Sequence, residues 1–163
     1  MNDTQSLTKS AQRVQNTLTS KGLTCRVVEL SASTRTAQEA ASSIGCEVAQ
    51  IVKSLIFKTK TSHQPVLVLA SGPNRVSEKF IEAQVGEKIV KADADFTREI
   101  TGFAIGGIPP IGHKQPINFI FIDEDLLKFE EIWAAAGTPN AVFCLKAKDL
   151  KDLTNGEIIS IQE

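Results

Sequence analysis

"QIVKSLIFKTK", residues 50–60, and "PVLVLAS", residues 65–71, face each other across the short break Thr61–Ser62–His63–Gln64. Both runs are rich in β-branched and apolar residues, and the polar break with proline behind it reads as a turn, so the pair predicts a β-hairpin. Working outward, Thr36 followed by Glu39 is a capping box that opens a short alanine-rich helix ending at Gly45. On the other side, Ser77 caps a helix through Val85, "KIVKA" is a short strand, and Asp93 or Asp95 opens a helix that stops near Gly102.

Leu7, Ala11, Val14 and Leu18 recur at helical spacing and predict an N-terminal helix over about residues 6–21, stopping at Gly22. "TCRVVEL" (24–30) reads as a strand, and "INFIFID" (117–123) as the clearest buried one. "EEIWAAAG" and "AVFCLK" read as two strands joined by the turn 137–140, and a last helix near 147–153 leads into "EIISIQ". Strands and helices mix without the regular alternation of a doubly wound sheet, which predicts one compact α/β (α+β) domain around a mixed sheet, spanning residues 1–163.

Composition narrows the function classes. The formal net charge is −1, with 42% apolar and 23% charged residues, so nucleic acid would have to be met by a local basic patch. Lys53, Lys58, Lys60, Arg75, Lys79, Lys88, Lys91 and Lys114 are the candidates for one. No apolar run approaches the ~20 residues of a membrane span, and "MNDTQSLTKS" lacks a signal-peptide core, so no membrane partner and a cytoplasmic location are expected. Cys25, Cys46 and Cys144 are far apart and form no C-x-x-C, so neither a disulfide framework nor a metal site is expected. No cofactor motif is present either: phosphate-cradling and dinucleotide glycine patterns are absent, as are H-E-x-x-H and G-x-S-x-G.

Two features then stand out. Lys53 interrupts an apolar strand; it either points outward to solvent or projects as a point charge into a cleft, suited to a phosphate or a polarised ester oxygen. "GGIPPIGH" (106–113) is either a rigid connection or a backbone-built site in which Gly106 and Gly107 present adjacent N–H groups to an anion. His63 reads as solvated and His113 as a loop residue, while Cys46 or Cys144 paired with a histidine is the weakest catalytic arrangement on offer.

"AQIVKSLIF", "VLVLASGPNRV", "TGFAIGGIPPIGH", "FIFID" and "WAAAGTPNAVF", in this order, resemble the YbaK/EbsC family of aminoacyl-tRNA deacylases, which includes the editing domain of prolyl-tRNA synthetases. The resemblance runs from about residue 27 to the C-terminus. It implies that family's fold, a barrel-like mixed sheet flanked by helices. The activity implied is hydrolysis, in trans and without cofactor, of the ester of a mischarged aminoacyl-tRNA, with tRNA(Pro) or a related tRNA as the carrier. Lys53 matches the essential lysine held to grip the tRNA 3′ end, and Gly106 and Gly107 match the glycine pair beside the scissile carbonyl.

By the same resemblance Ser54 and Ile108 flank those residues, and Pro110 and Gly112 complete the loop, followed by His113. Thr36 and the alanines after it wall the amino-acid pocket, and residues 135–142, with Gly137 and Val142, close it from the other side. Val142 stands where relatives carry an acidic residue, which suits a small side chain such as that of alanine, serine, cysteine or threonine. Pro109 stands where the cysteine-editing member has a serine, which speaks against cysteine without removing it. The implied partners are the acceptor end of aminoacyl-tRNA and a helper, a synthetase or an elongation factor. The competing reading is a catalytically inactive module that binds tRNA or a nucleotide.

Overall fold

The computed structural model describes residues 7–162. The described elements run, in chain order, α1 (Lys9–Ser20), β1 (Val28–Glu29), α2 (Ala37–Ile44), β2 (Ile51–Thr59), β3 (Pro65–Ser71), α3 (Glu78–Val85), β4 (Ile89–Lys91), α4 (Ala94–Thr101), β5 (Phe119–Asp123), β6 (Glu131–Ala135), β7 (Ala141–Lys146), α5 (Leu150–Thr154) and β8 (Glu157–Ile159). They form one α/β domain around a mixed sheet of eight strands, ordered β1-β7-β6-β2-β3-β5-β8 with β4 added to β2. The expected β2–β3 hairpin is antiparallel, while β6 on β2, β5 on β3 and β8 on β5 are parallel.

β3 is the centre of the molecule. All seven of its residues are buried, because alternate side chains enter two different cores. Leu67 and Leu69 join Val14 and Leu18 of α1, Phe103 and Phe143 on one face. Val66, Val68 and Ala70 join Phe57, Ile81 and Ile161 on the other. β5, expected to be the clearest buried strand, begins only at Phe119 and is half-buried at Phe119 and Ile120. No helix among the described residues is long and apolar enough to cross a membrane.

The caps predicted at Thr36, Ser77 and Asp93 are all present, and Gly45, Gly86 and Gly102 end their helices in the left-handed conformation. Two expectations are corrected. α1 starts at Lys9; the expected residue 6 lies outside the described residues. "TCRVVEL" is a strand only at Val28–Glu29, which pairs with Val142 and Ala141. The reason is Gln15 on α1: its amide donates to the Cys25 carbonyl at 3.1 Å and accepts from the Val27 N–H at 2.8 Å. A side chain has taken the place of a neighbouring strand.

One detail of the sheet creates the site. β6 pairs with β2 only at Ile51 and Val52, and β4 pairs with the same edge of β2 only from Phe57 to Thr59. The Ala92 N–H reaches the Ile56 carbonyl at 3.2 Å, and among the described residues no strand pairs with this edge at residues 53–55. β2 therefore forks the sheet and leaves a gap in the middle of its own length.

Candidate active site

A cavity of about 400 Å³ opens at that gap. This is the size of a small-molecule site. β2 supplies Lys53, Ser54 and Leu55; the amino end of α2 supplies Thr36, Ala37 and Gln38; β6 and β7 supply Trp133, Ala134, Ala135 and Val142; the loop after α4 supplies Ile105, Gly106 and Ile108. Its charged lining residues are Arg35 and Lys53, and no carboxylate is among them.

Lys53 is half-buried and its ammonium donates to the Asn74 carbonyl at 2.8 Å. Burial depresses its pKa, the Arg75 charge depresses it further, and Asp123 pulls it back up. Asp123 is buried at the end of β5. Its Oδ2 accepts from the Ser71 N–H at 2.9 Å and from the Asn74 side-chain amide at 2.8 Å, and its Oδ1 accepts from the Asp125 N–H at 2.9 Å. Beside Lys53, the Ser54 hydroxyl oxygen is buried and has no hydrogen-bond partner among the described residues.

Of the residues singled out from the sequence, Thr36, Lys53, Ser54, Gly106, Ile108 and Val142 meet in this cavity. Ala37, Ala40 and Ala135 of the expected walls line it too, whereas Gly107, Pro110, Gly112, His113 and Gly137 do not. The Gly107 N–H is committed to the Ala104 carbonyl at 3.1 Å, which removes the expected pair of adjacent free N–H groups; the Gly106 N–H has no partner among the described residues. Gly107 is glycine because a Cβ there would lie 2.8 Å from the Thr138 backbone, and its carbonyl accepts from the Gly137 N–H at 2.8 Å.

Gly112 and Gly137 face α1 instead: a Cβ would meet Thr17 Oγ1 at 3.1 Å and the Ser10 carbonyl oxygen at 2.7 Å respectively. Arg13 of α1 lies over the Phe103 ring, 4.6 Å from its centroid, so α1 backs the whole loop. Pro110 is buried outside the cavity. His113 is tied to its own loop, Nε2 to the Pro109 carbonyl at 2.8 Å. A carbonyl only accepts, so Nε2 carries the proton; burial pushes the imidazole pKa down and this bond partly offsets the effect.

His63 sits in the β2–β3 turn in a left-handed conformation, φ 57°, and takes no part in the cavity. Burial raises the thiol pKa of Cys25, Cys46 and Cys144, the last to about 11, so none is held as a ready thiolate. Among the described residues no cluster of His, Cys, Asp and Glu could hold a metal ion. Sequence reasoning missed Arg35, Trp133 and Gly72 in the lining and the Asn74–Asp123 pair behind Lys53. Gly72 is glycine because a Cβ there would collide with the Val48 carbonyl oxygen, a constraint the sequence alone does not show.

Comparison with known proteins follows the same lines. The model of the aminoacyl-tRNA editing domain family matches residues 31–153. The crystal structure of a candidate trans-editing enzyme for prolyl-tRNA synthetase superposes with a TM-score of 0.90 at 46% identity, covering 97% of this chain and 99% of that one. The hypothetical protein APE2540 superposes with a TM-score of 0.85 at 26% identity, over 93% of this chain and 99% of its own. The uncharacterised protein YwhH of Bacillus subtilis is 28% identical over 132 residues, 81% of this chain and 83% of that protein. A proline–tRNA ligase of Limosilactobacillus fermentum is 34% identical over 89 residues, 52% of this chain but 16% of that enzyme.

Proposed function

Since this chain belongs to the aminoacyl-tRNA editing domain family, we propose that it acts in trans as a deacylase, hydrolysing the ester between a wrongly attached small amino acid and the 3′-terminal adenosine of a tRNA. The observation that carries the reading is Lys53, a half-buried ammonium anchored on one backbone carbonyl and opening into a carboxylate-free cavity that also holds Gly106. An anchored ammonium keeps two of its three hydrogens for a ligand. Those two hold a phosphate or the ester oxygen of the acceptor end.

An aminoacyl ester is already activated, so no nucleophilic side chain is required. A positioned water, oriented by the neighbouring ribose hydroxyl, attacks the carbonyl carbon. Its oxygen becomes part of the released amino acid's carboxylate; one of its protons goes to the ribose oxygen as the C–O bond breaks, restoring a hydroxyl on the tRNA, and the other is lost to solvent. Negative charge gathers on the former carbonyl oxygen, where the Gly106 N–H is the available backbone donor; one such donor is typically worth about 3–4 kcal/mol. The alanine-rich wall (Ala37, Ala134, Ala135) and Val142 fit a small uncharged side chain: alanine, serine, threonine or cysteine. The name of one solved relative and the match to a proline–tRNA ligase favour tRNA(Pro) as the carrier. A synthetase or an elongation factor helps a domain of net charge −1 to grip RNA.

The test is a single-turnover deacylation screen of tRNA(Pro) charged with each of the four amino acids, using wild type and Lys53→Ala. Wild type should release at least one of them, and Lys53→Ala should be slower by roughly 10²-fold or more with its unfolding midpoint kept. Tight binding of every charged tRNA without ester cleavage would instead establish the binding module.

A further inference from the structure

The role given to Lys53 leaves Asp123 unexplained. It is 1% exposed and does not line the cavity, yet its charge acts on the lysine. Burying a carboxylate is costly unless its oxygens are satisfied. Here they are: one oxygen caps the turn after β5 by accepting from the Asp125 N–H, and the other takes both of its donors from the segment that carries the Lys53 acceptor. Ser71 at the end of β3 and Asn74 three residues later both donate to Oδ2, and the Asn74 N–H closes the turn on the Ser71 carbonyl at 2.9 Å. The second hydrogen of the Asn74 amide goes to Asp125 Oδ2 at 2.8 Å. The same Asn74 presents its backbone carbonyl to the Lys53 ammonium.

We propose that Asp123 is a positioning residue for Lys53: through Asn74 it fixes the carbonyl on which the ammonium rests. This rests on the reading of Lys53 as the group that holds the substrate. A turn needing only closure would be served by the Ser71–Asn74 backbone bond. The buried carboxylate adds what an apolar residue cannot, a negative charge behind a cation that burial and Arg75 both discourage. The charges acting on Lys53 are Arg75 from the same turn and Asp123 from β5; Arg35 shares its cavity, and Asp125, after β5, bonds Asn74. Asp125 is itself paired with Lys128 at 2.9 Å.

Two measurements test the proposal on the full chain. The first follows the Lys53 side-chain NMR signal with pH, in wild type and in Asp123→Asn. Loss of the carboxylate should lower the lysine's pKa, so the alkaline limb of deacylation, which reports loss of the ammonium, should move to lower pH. The second is a double-mutant cycle on single-turnover deacylation. Asp123→Asn and Asn74→Ala should each cost about 10- to 100-fold in wild type and almost nothing further in a Lys53→Ala background.

Unmoved lysine titration together with fully multiplicative losses would overturn it, because a residue that only props up the fold slows both backgrounds alike. If Asp123→Asn does not fold, Asn74→Ala carries the cycle, and full multiplicity there has the same meaning. If wild type deacylates nothing, the NMR titration still decides the placement of Lys53, and it is the deacylase reading that fails.

Discussion

On the β2 side of the cavity the group proposed to act is a side chain. Lys53 leaves a strand paired along its whole other edge with β3, and its ammonium is pinned by a carbonyl that a buried carboxylate holds in place. Across the cavity, in the loop after α4, the group proposed to act is a single backbone N–H, that of Gly106, which has no partner among the described residues. The remaining glycines of that loop serve packing: Gly107 against the 137–140 turn and Gly112 against α1. A strand can hold a long charged side chain because pairing along even one edge, here with β3, fixes its backbone. A loop offers a precise N–H only if something else fixes the loop, and here that is close contact with two other segments.

That contrast predicts two unlike glycine variants. Gly107→Ala puts a Cβ 2.8 Å from the Thr138 backbone, with no flexible side chain to yield. It should destabilise the protein by about 2–3 kcal/mol, read from chemical unfolding. Gly106→Ala meets Arg35 Cγ at 3.3 Å, which can move aside, but must hold φ at +98°. It should cost about 1–2 kcal/mol of stability and lose more deacylation than that predicts, because its N–H is displaced. Equal losses of activity per unit of lost stability in the two variants would erase the distinction drawn between them.

Much of the fold and less of the site could be read from residues alone. Caps, the hairpin and the final helix were legible because each depends on neighbours within a few positions, as with Thr36 and Glu39. Lys53 stands out as a lysine inside an apolar strand, but the residues alone leave it facing either solvent or a cleft, and only the family resemblance gives it a place in a site. Gly107, Gly112 and Gly137 looked like site residues because glycine looks the same whether it admits a ligand or a neighbouring backbone. The gap in β2 pairing was invisible, since it depends on where β4 and β6 end. Asn74 and Asp123, 49 positions apart, likewise meet only through β3–β5 pairing.

The β2 wall holds a second group that can be tested more gently. Removing a buried hydroxyl that has no partner should not destabilise the fold, because there is no hydrogen bond to lose. Ser54→Ala should therefore shift stability by less than about 1 kcal/mol, upward if at all. Deacylation should still fall, by about fivefold, if the hydroxyl turns to the substrate. A clear drop in the unfolding midpoint would mean that Ser54 is a packing residue and that the β2 wall acts through Lys53 alone.

The far end of the loop gives the smallest effect and the one that best separates packing from chemistry. His113 is neutral in the folded protein, its pKa lowered from 6.5 chiefly by burial. In the unfolded chain it takes up a proton near that ordinary value. Between the lowered and the ordinary value the unfolded state therefore binds more protons, so stability rises with pH there. The stability is fully present above pH 6.5 and is lost as pH falls below it. His113→Gln, which cannot titrate, should flatten that slope in unfolding measured from pH 7 to pH 5. Its deacylation should follow the folded fraction alone, since the imidazole bonds its own loop at Pro109 and does not line the cavity. A rate that fell at pH 7.5 in a fully folded His113→Gln protein would bring this end of the loop into the chemistry. The division between one working N–H at Gly106 and a packed remainder would then have to be redrawn.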